Sequence, residues 1–215
     1  MQKEQVVKKL IPFFVSLILS IVTLIIYLNS DVVRAVVVVE ILACALIPLI
    51  LPIIEFISKK SFPTILNILI VIHIFLAIDL GTVLGFYKLI SWWDLLLHFY
   101  FGFIGAVVIF VFMHKWNGLN INKFGLYFMI FLAVMGLAGL WEVWEYICDR
   151  LFVGNDAQNI AGSIASGVSV MTDSMTDIMI SIPGVFLFYL LLLIDKITKK
   201  NLTEKILLND KNLIN

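Results

Sequence analysis

Six apolar runs of about 20 residues leave this chain very few folds to choose from. They cover Leu10–Leu28, Val32–Ile57, Phe62–Gly81, Ser91–Met113, Phe124–Ile147 and Gly167–Ile194. At 1.5 Å rise per residue each is long enough to cross a bilayer as a helix. Inside the hydrocarbon only helices and closed barrels can satisfy their own backbone. Composition agrees: the chain is 62% hydrophobic and 14% charged, whereas soluble domains run at about 45–50% apolar and about 25% charged. The expected fold is all-α, a polytopic bundle of six transmembrane helices over residues 1–195, with a basic tail over 196–215.

Polar punctuation separates the spans. Asn29-Ser30-Asp31 makes a tight turn, Ser58-Lys59-Lys60-Ser61 precedes Pro63, and Asn117-Gly118-Leu119-Asn120 is a turn cluster. The longest connection, Asp149 to Ser166, is polar and rich in Gly, Ser and Asn. Lys3, Lys8 and Lys9 before the first span resemble the start of a signal peptide. The apolar run that follows exceeds the usual h-region of about 7–15 residues and has no small-x-small cleavage cue, so the segment reads as an uncleaved helix. Pro12 lies near a helix start, where proline is tolerated. Pro48, Pro52 and Pro183 fall inside spans and are expected to bend them. Cys44 and Cys148 cannot build a disulfide framework, and no basic run exceeds two adjacent lysines, which excludes a nucleic-acid footprint.

Orientation follows from the cations. With the N-terminus inside, twelve lysines fall on the cytoplasmic side and only Arg34, Lys88 and Arg150 outside, so both termini are expected to face the cytoplasm. Trp92, Trp93, Trp141 and Trp144 then mark the outer boundary and Trp116 the inner one, as interfacial aromatics do. The tail is expected either to lie along the inner headgroups, with Ile197, Ile206 and Leu207 on lipid, or to be solvated.

The intramembrane acids carry the functional information, since a charge at mid-bilayer costs roughly 2.5–3.5 kcal/mol even on lenient scales. Counted from the inner end of each span, Glu142 lies about 28 Å above Lys123, His98 about 24 Å above His114 and Asp177 about 27 Å above Asp195. Asp94, Glu145 and Asp173 stand about a turn higher, while Asp79 and Glu40 arrive at roughly 26 Å. Five helices thus place acids in one thin slab below the outer surface. Phase agrees: Asp94 and His98 share a face that Gly102 and Gly105 continue. Ala138, Glu142, Glu145 and Asp149 form a second stripe, and Ser166, Ser169, Asp173, Asp177, Ser181 and Gly184 a third. Small residues beneath the acids suit close helix contact.

Six carboxylates, Asp94, Glu142, Glu145, Asp149, Asp173 and Asp177, face only His98 and Arg150 as local cations. Such a set either carries several protons or recruits a bound cation. Carboxylates with one imidazole suit Mg²⁺, Mn²⁺ or Ca²⁺, and also admit Zn²⁺. Two other readings stay open: a capping network with Arg150 near water, and proton or ion conduction. Glu40 and Asp79 are secondary candidates, having no partner at helical spacing on their own spans. His73 reads as a lone polar contact, His114 as an inner-loop residue, Cys148 as packing, and Glu55 and Asp195 as helix-end acids among lysines.

The run Trp92-Trp93-Asp94-Leu95-Leu96-Leu97-His98-Phe99, then Gly139-Leu140-Trp141-Glu142-Val143-Trp144-Glu145-Tyr146 with Asp149, then Asp173-Ser174-Met175-Thr176-Asp177, resembles the YjdF-like inner-membrane proteins. The likeness covers roughly residues 90–190, and its Trp-Asp-x-x-x-His piece also looks like VanZ-type membrane proteins. The family pattern has Asp-Thr at Asp173-Ser174 and often another acid at Ser181, so a third acid on the sixth helix is missing here. The resemblance implies a bacterial plasma-membrane protein with a functional set of acids, and no assigned activity. Together these features lead us to expect a carboxylate/His cluster that faces outside the cytoplasm. It would serve a metal-dependent hydrolase of a lipid or envelope precursor, with Asp94, His98, Glu142, Glu145, Asp173 and Asp177 as ligands and an unligated carboxylate as base. The alternatives are an ion- or proton-coupled transporter and a non-catalytic structural or envelope-resistance protein. A transporter needs polar steps across the membrane, and Asn67 and His73 are the only ones toward the cytoplasm on the third span.

Overall fold

The computed structural model describes residues 3–116, 121–152 and 169–208. The Asn117–Asn120 turn, most of the connection from Asp149 to Ser166, the start of the sixth apolar run and the last seven residues of the tail lie outside the described residues. Among the described residues every element is helical. The elements are α1 (Lys3–Leu28), α2 (Ala35–Leu46), a 3₁₀ turn (Ile47–Leu49), α3 (Ile50–Ser58), α4 (Thr64–Ile74), a π-helix (Phe75–Val83), α5 (Phe86–Leu89), α6 (Trp93–Trp116), α7 (Lys123–Leu151), α8 (Val170–Thr198) and α9 (Leu202–Leu208). Six stretches are long and apolar enough to cross a membrane: Val7–Leu28, Ala35–Ser58, Thr64–Val83, Trp93–Trp116, Lys123–Leu151 and Met171–Thr198. The helices form two compact units. Unit 1 comprises Met1–Trp93, Val111–Asn117 and Leu191–Asn215; unit 2 comprises Asp94–Phe110 and Gly118–Leu190.

In unit 1, α1 buries a polar stripe. Lys9, Ser16, Ser20, Thr23 and Tyr27 are buried, while Ile11, Ile18, Val22 and Ile25 on other faces are exposed, as lipid requires. Tyr27 packs with Val36, Val37 and Ile41 of α2. Lys9 Nζ donates to Glu55 Oε1 at 2.5 Å and to Ser61 Oγ at 2.8 Å, and the Phe62 amide also donates to Glu55. Glu55 is thus the anchor of a lysine pair and of the turn into α4, more than the passive helix-end acid expected from sequence.

Prolines explain two further members of this polar set. Pro48 has no N–H, so the carbonyl of Cys44, four residues back, loses its helical donor. Ser16 Oγ supplies the missing bond at 3.0 Å. Pro52 deprives the carbonyl of Pro48 in the same way, and Asn67 Nδ2 of α4 donates there at 2.8 Å. The expected bend in the second span is the 3₁₀ turn between α2 and α3. Removing a donor to a buried carbonyl costs about 1–3 kcal/mol. Ser16→Ala is therefore expected to lower the thermal midpoint in detergent, and to lower it much less in a Pro48→Ala background, where the restored amide can serve Cys44 itself. Equal losses in both backgrounds would contradict this account.

Three sequence expectations change. The third apolar run continues past Gly81 as a π-helix to Val83, closed by the Leu84 amide donating to the Asp79 carbonyl at 3.0 Å. Trp93 is buried, its Nε1 donating to the Leu76 carbonyl at 3.3 Å and its ring edge-on to Phe86, so it packs inside unit 1 and is no interfacial aromatic. Trp92, Trp141 and Trp144 are exposed. Helix α8 runs to Thr198, and Asp195 accepts from the Thr203 amide at the start of α9. Leu207 is consequently buried, while Ile197 and Ile206 are exposed.

Unit 2 packs α6, α7 and α8 through Ala106, Ile130, Val134, Val185 and Phe188, all almost inaccessible. Phe110 meets Phe188 edge-on, their ring centroids 5.3 Å apart. Helices α6 and α8 touch backbone to backbone. A Cβ on Gly102 would overlap the Ser181 carbonyl oxygen and stand 2.8 Å from its carbon. A Cβ on Gly184 would overlap the Phe99 carbonyl and stand 2.8 Å from the Phe103 nitrogen. Of the small residues expected to admit close contact, Gly102 and Gly184 do so, and a Cβ on Gly105 would meet Val134 at an ordinary 3.4 Å; Gly139, outside those stripes, has open space where a Cβ would go.

Candidate metal centre

The glycine contact holds the first turns of α6 close to α8 and so assembles the acids of unit 2. Asp94 and His98, one turn apart on α6, present Oδ1 and Nε2 at 3.6 Å. Asp177 comes from α8, and one ligand atom from each of Asp94, His98 and Asp177 lies within 4.8 Å of the others. Glu142 of α7 adds a fourth group, with Oε1 3.9 Å from His98 Nε2. His98, Glu142 and Asp177 are buried. The Asp94 side chain is 42% exposed, so the cluster has one accessible member.

Two features bear on whether these groups fit a cation. The donors are hard carboxylate oxygens with one borderline imidazole, a set that Mg²⁺, Mn²⁺ and Zn²⁺ accept. Moreover, Glu142 Oε1 is buried and accepts no hydrogen bond among the described residues. Ser174 hydrogen-bonds the Glu142 carboxylate, so one acceptor remains over, 3.9 Å from the His98 imidazole and within electrostatic reach of Asp94 and Asp173. An uncompensated buried acceptor is costly, and a cation would satisfy it. The residues fit.

The other candidates are distributed around this core. Asp173 lies within electrostatic reach of Asp94, Glu142 and Asp177. Glu145 is within reach of Glu142, Asp94 and Asp177, and accepts from Trp141 Nε1 at 2.8 Å. Asp149, one turn further along α7, is not among the converging donors. Arg150 lies over the Tyr146 ring, 5.1 Å from its centroid. Glu40 and Asp79 belong to unit 1. There Asp79 sits in the π-helix, buried, and accepts a hydrogen bond from Thr23 Oγ1. His73 belongs to α4 of unit 1 and His114 is exposed. Cys148 is buried. Sequence reasoning assigns Ser174 no role beyond its place in the family-like run, since it falls between the stripe positions Asp173 and Asp177. Nor does it single out Thr23, whose only sequence signal is its place with Ser16 and Ser20 on one face of α1.

Six helical stretches long and apolar enough to cross a bilayer make this a membrane protein of several spans. The profile of the family described as "Predicted membrane protein (DUF2238)" matches residues 11–196, and the chain belongs to that family. No curated protein and no solved structure matches it.

Proposed function

We propose that Asp94, His98, Glu142 and Asp177 bind a divalent metal cation and that the protein is a metal-dependent hydrolase acting on the head group of a membrane amphiphile. The convergence of three ligand atoms within 4.8 Å is the observation that carries the reading. When bound, the cation would supply an activated water and neutralise charge on a phosphate or similar group. Asp94 and His98 of α6, Glu142 of α7 and Asp177 of α8 would hold it, Asp94 being the member open to solvent. Glu145 and Asp173, within electrostatic reach but outside the converging set, would serve as proton acceptors. The lysine distribution and the YjdF-like resemblance support a bacterial plasma membrane, both termini cytoplasmic and the cluster toward the outer face.

Elemental analysis of the detergent-purified full chain, after dialysis against trace metals, tests the proposal. Near-stoichiometric metal, or a thermal midpoint raised by added Mg²⁺, Mn²⁺, Ca²⁺ or Zn²⁺, is expected. No retained metal and no shift with any of the four would end the metalloenzyme reading and leave a hydrogen-bonded acid network.

A further inference from the structure

The residue directly beneath the cluster is neither acidic nor exposed. Ser181 has no accessible surface, and its hydroxyl lies 3.0 Å from the His98 carbonyl and 3.2 Å from the Asp177 carbonyl. A hydroxyl has one proton to give, so it is shared between the backbones of two cluster residues on two different helices. On the other side, Gly102 leaves no room for a Cβ against the Ser181 backbone. α6 therefore meets α8 at Ser181 through a hydrogen bond and through van der Waals closure. We propose that Ser181 is a positioning residue: it fixes the spacing of His98 from Asp177 and thereby sets the size of cation the cluster accepts. The inference rests on the cation reading above and adds what controls its selectivity.

The physical reason is the difference between a rigid and a loose site. Mg²⁺ demands short, near-octahedral coordination and Mn²⁺ also takes shorter bonds than Ca²⁺, which tolerates longer and more varied ones. With the hydroxyl present, the imidazole and the Asp177 carboxylate start from backbones tied to one atom. Without it, the helices keep their glycine contact but lose the bond that sets their register. Supporting partners of metal ligands commonly affect affinity by about 10–100-fold.

Binding of Mn²⁺ and Ca²⁺ to the full-length detergent-purified protein separates this from a general stabilising role. Mn²⁺ is followed by electron paramagnetic resonance and Ca²⁺ by competition. Ser181→Ala is expected to weaken Mn²⁺ about tenfold, to leave Ca²⁺ much less affected, and to broaden the bound Mn²⁺ spectrum. Ser181→Thr, which keeps the hydroxyl, is expected to restore the Mn²⁺ preference. Ser181→Cys, nearly isosteric but a weak donor, gives the same reading as alanine if the alanine variant does not fold. An unchanged Mn²⁺ to Ca²⁺ ratio and spectrum in folded Ser181→Ala, with wild type binding Mn²⁺, would overturn the positioning role alone. Wild type binding neither ion would overturn the positioning role, and the cation reading falls with it when the protein also retains no metal and Mg²⁺ and Zn²⁺ leave its thermal midpoint unmoved.

Discussion

Asp177→Asn is expected to leave the protein folded and to abolish its hold on a divalent cation. The amide has nearly the carboxylate's shape but no charge, at a position only 4% exposed where solvent cannot compensate. With one converging ligand neutralised, the apparent Kd for Mn²⁺ should rise by at least about 100-fold, beyond the usual effect of altering a supporting partner. The difference should be visible in a melting experiment. A cation at 100 times its Kd stabilises the folded state by about 2.7 kcal/mol, roughly 5–10 °C for a chain of this length. Wild type should show that increment and the variant should not. A hydrogen-bonded network without metal predicts a different pattern. There Asp177→Asn removes a buried proton-sharing partner, so the variant should melt below wild type, and added ions should move neither protein.

The second large effect is steric. Gly102→Ala adds one methyl group where the Ser181 carbonyl already stands, and Gly184→Ala adds one against the Phe99 carbonyl. Neither obstacle is the end of a flexible side chain, so the helices must move apart. Overpacking commonly costs about 1–3 kcal/mol, and the upper end or beyond is expected here because backbone must shift. Gly139→Ala is the control: its Cβ meets nothing within 4 Å, and alanine is the better helix former. Thermal midpoints in detergent should fall by several degrees for Gly102→Ala and Gly184→Ala, and stay level or rise for Gly139→Ala. Equal behaviour of the three would disprove the close crossing.

The spans, and the spacings that bring Asp94, His98 and Asp177 together in the candidate site, are legible in the sequence for a simple reason: each depends on a period or a length. Apolar runs count out six helices, and the spacings Asp94/His98 and Asp177/Ser181 fix a face whatever the neighbours do. Other features depend on partners far along the chain. That Trp93 turns inward follows from partners on other elements, the Leu76 carbonyl of the π-helix and the ring of Phe86, which its own run does not reveal. Asp149 belongs to the same periodic stripe as Glu142, yet it stands one turn beyond Glu145, itself outside the converging set. Periodicity gives direction around a helix and says nothing of where two helices cross. The roles of Ser16 and Asn67 likewise needed the identity of the carbonyls that Pro48 and Pro52 leave open.

Those two carbonyls bear on how the chain is made. The second apolar run carries two acceptors that its own helix cannot satisfy, and lipid offers no donor. Their donors come from the segment synthesised before it and the segment synthesised after it, Ser16 on one side and Asn67 on the other. A nascent chain that has emerged only as far as α3 can close the first acceptor and must wait for the second. Completion of α2 and α3 in the membrane is therefore coupled to the arrival of α4, and the first three spans mature as a set instead of one at a time.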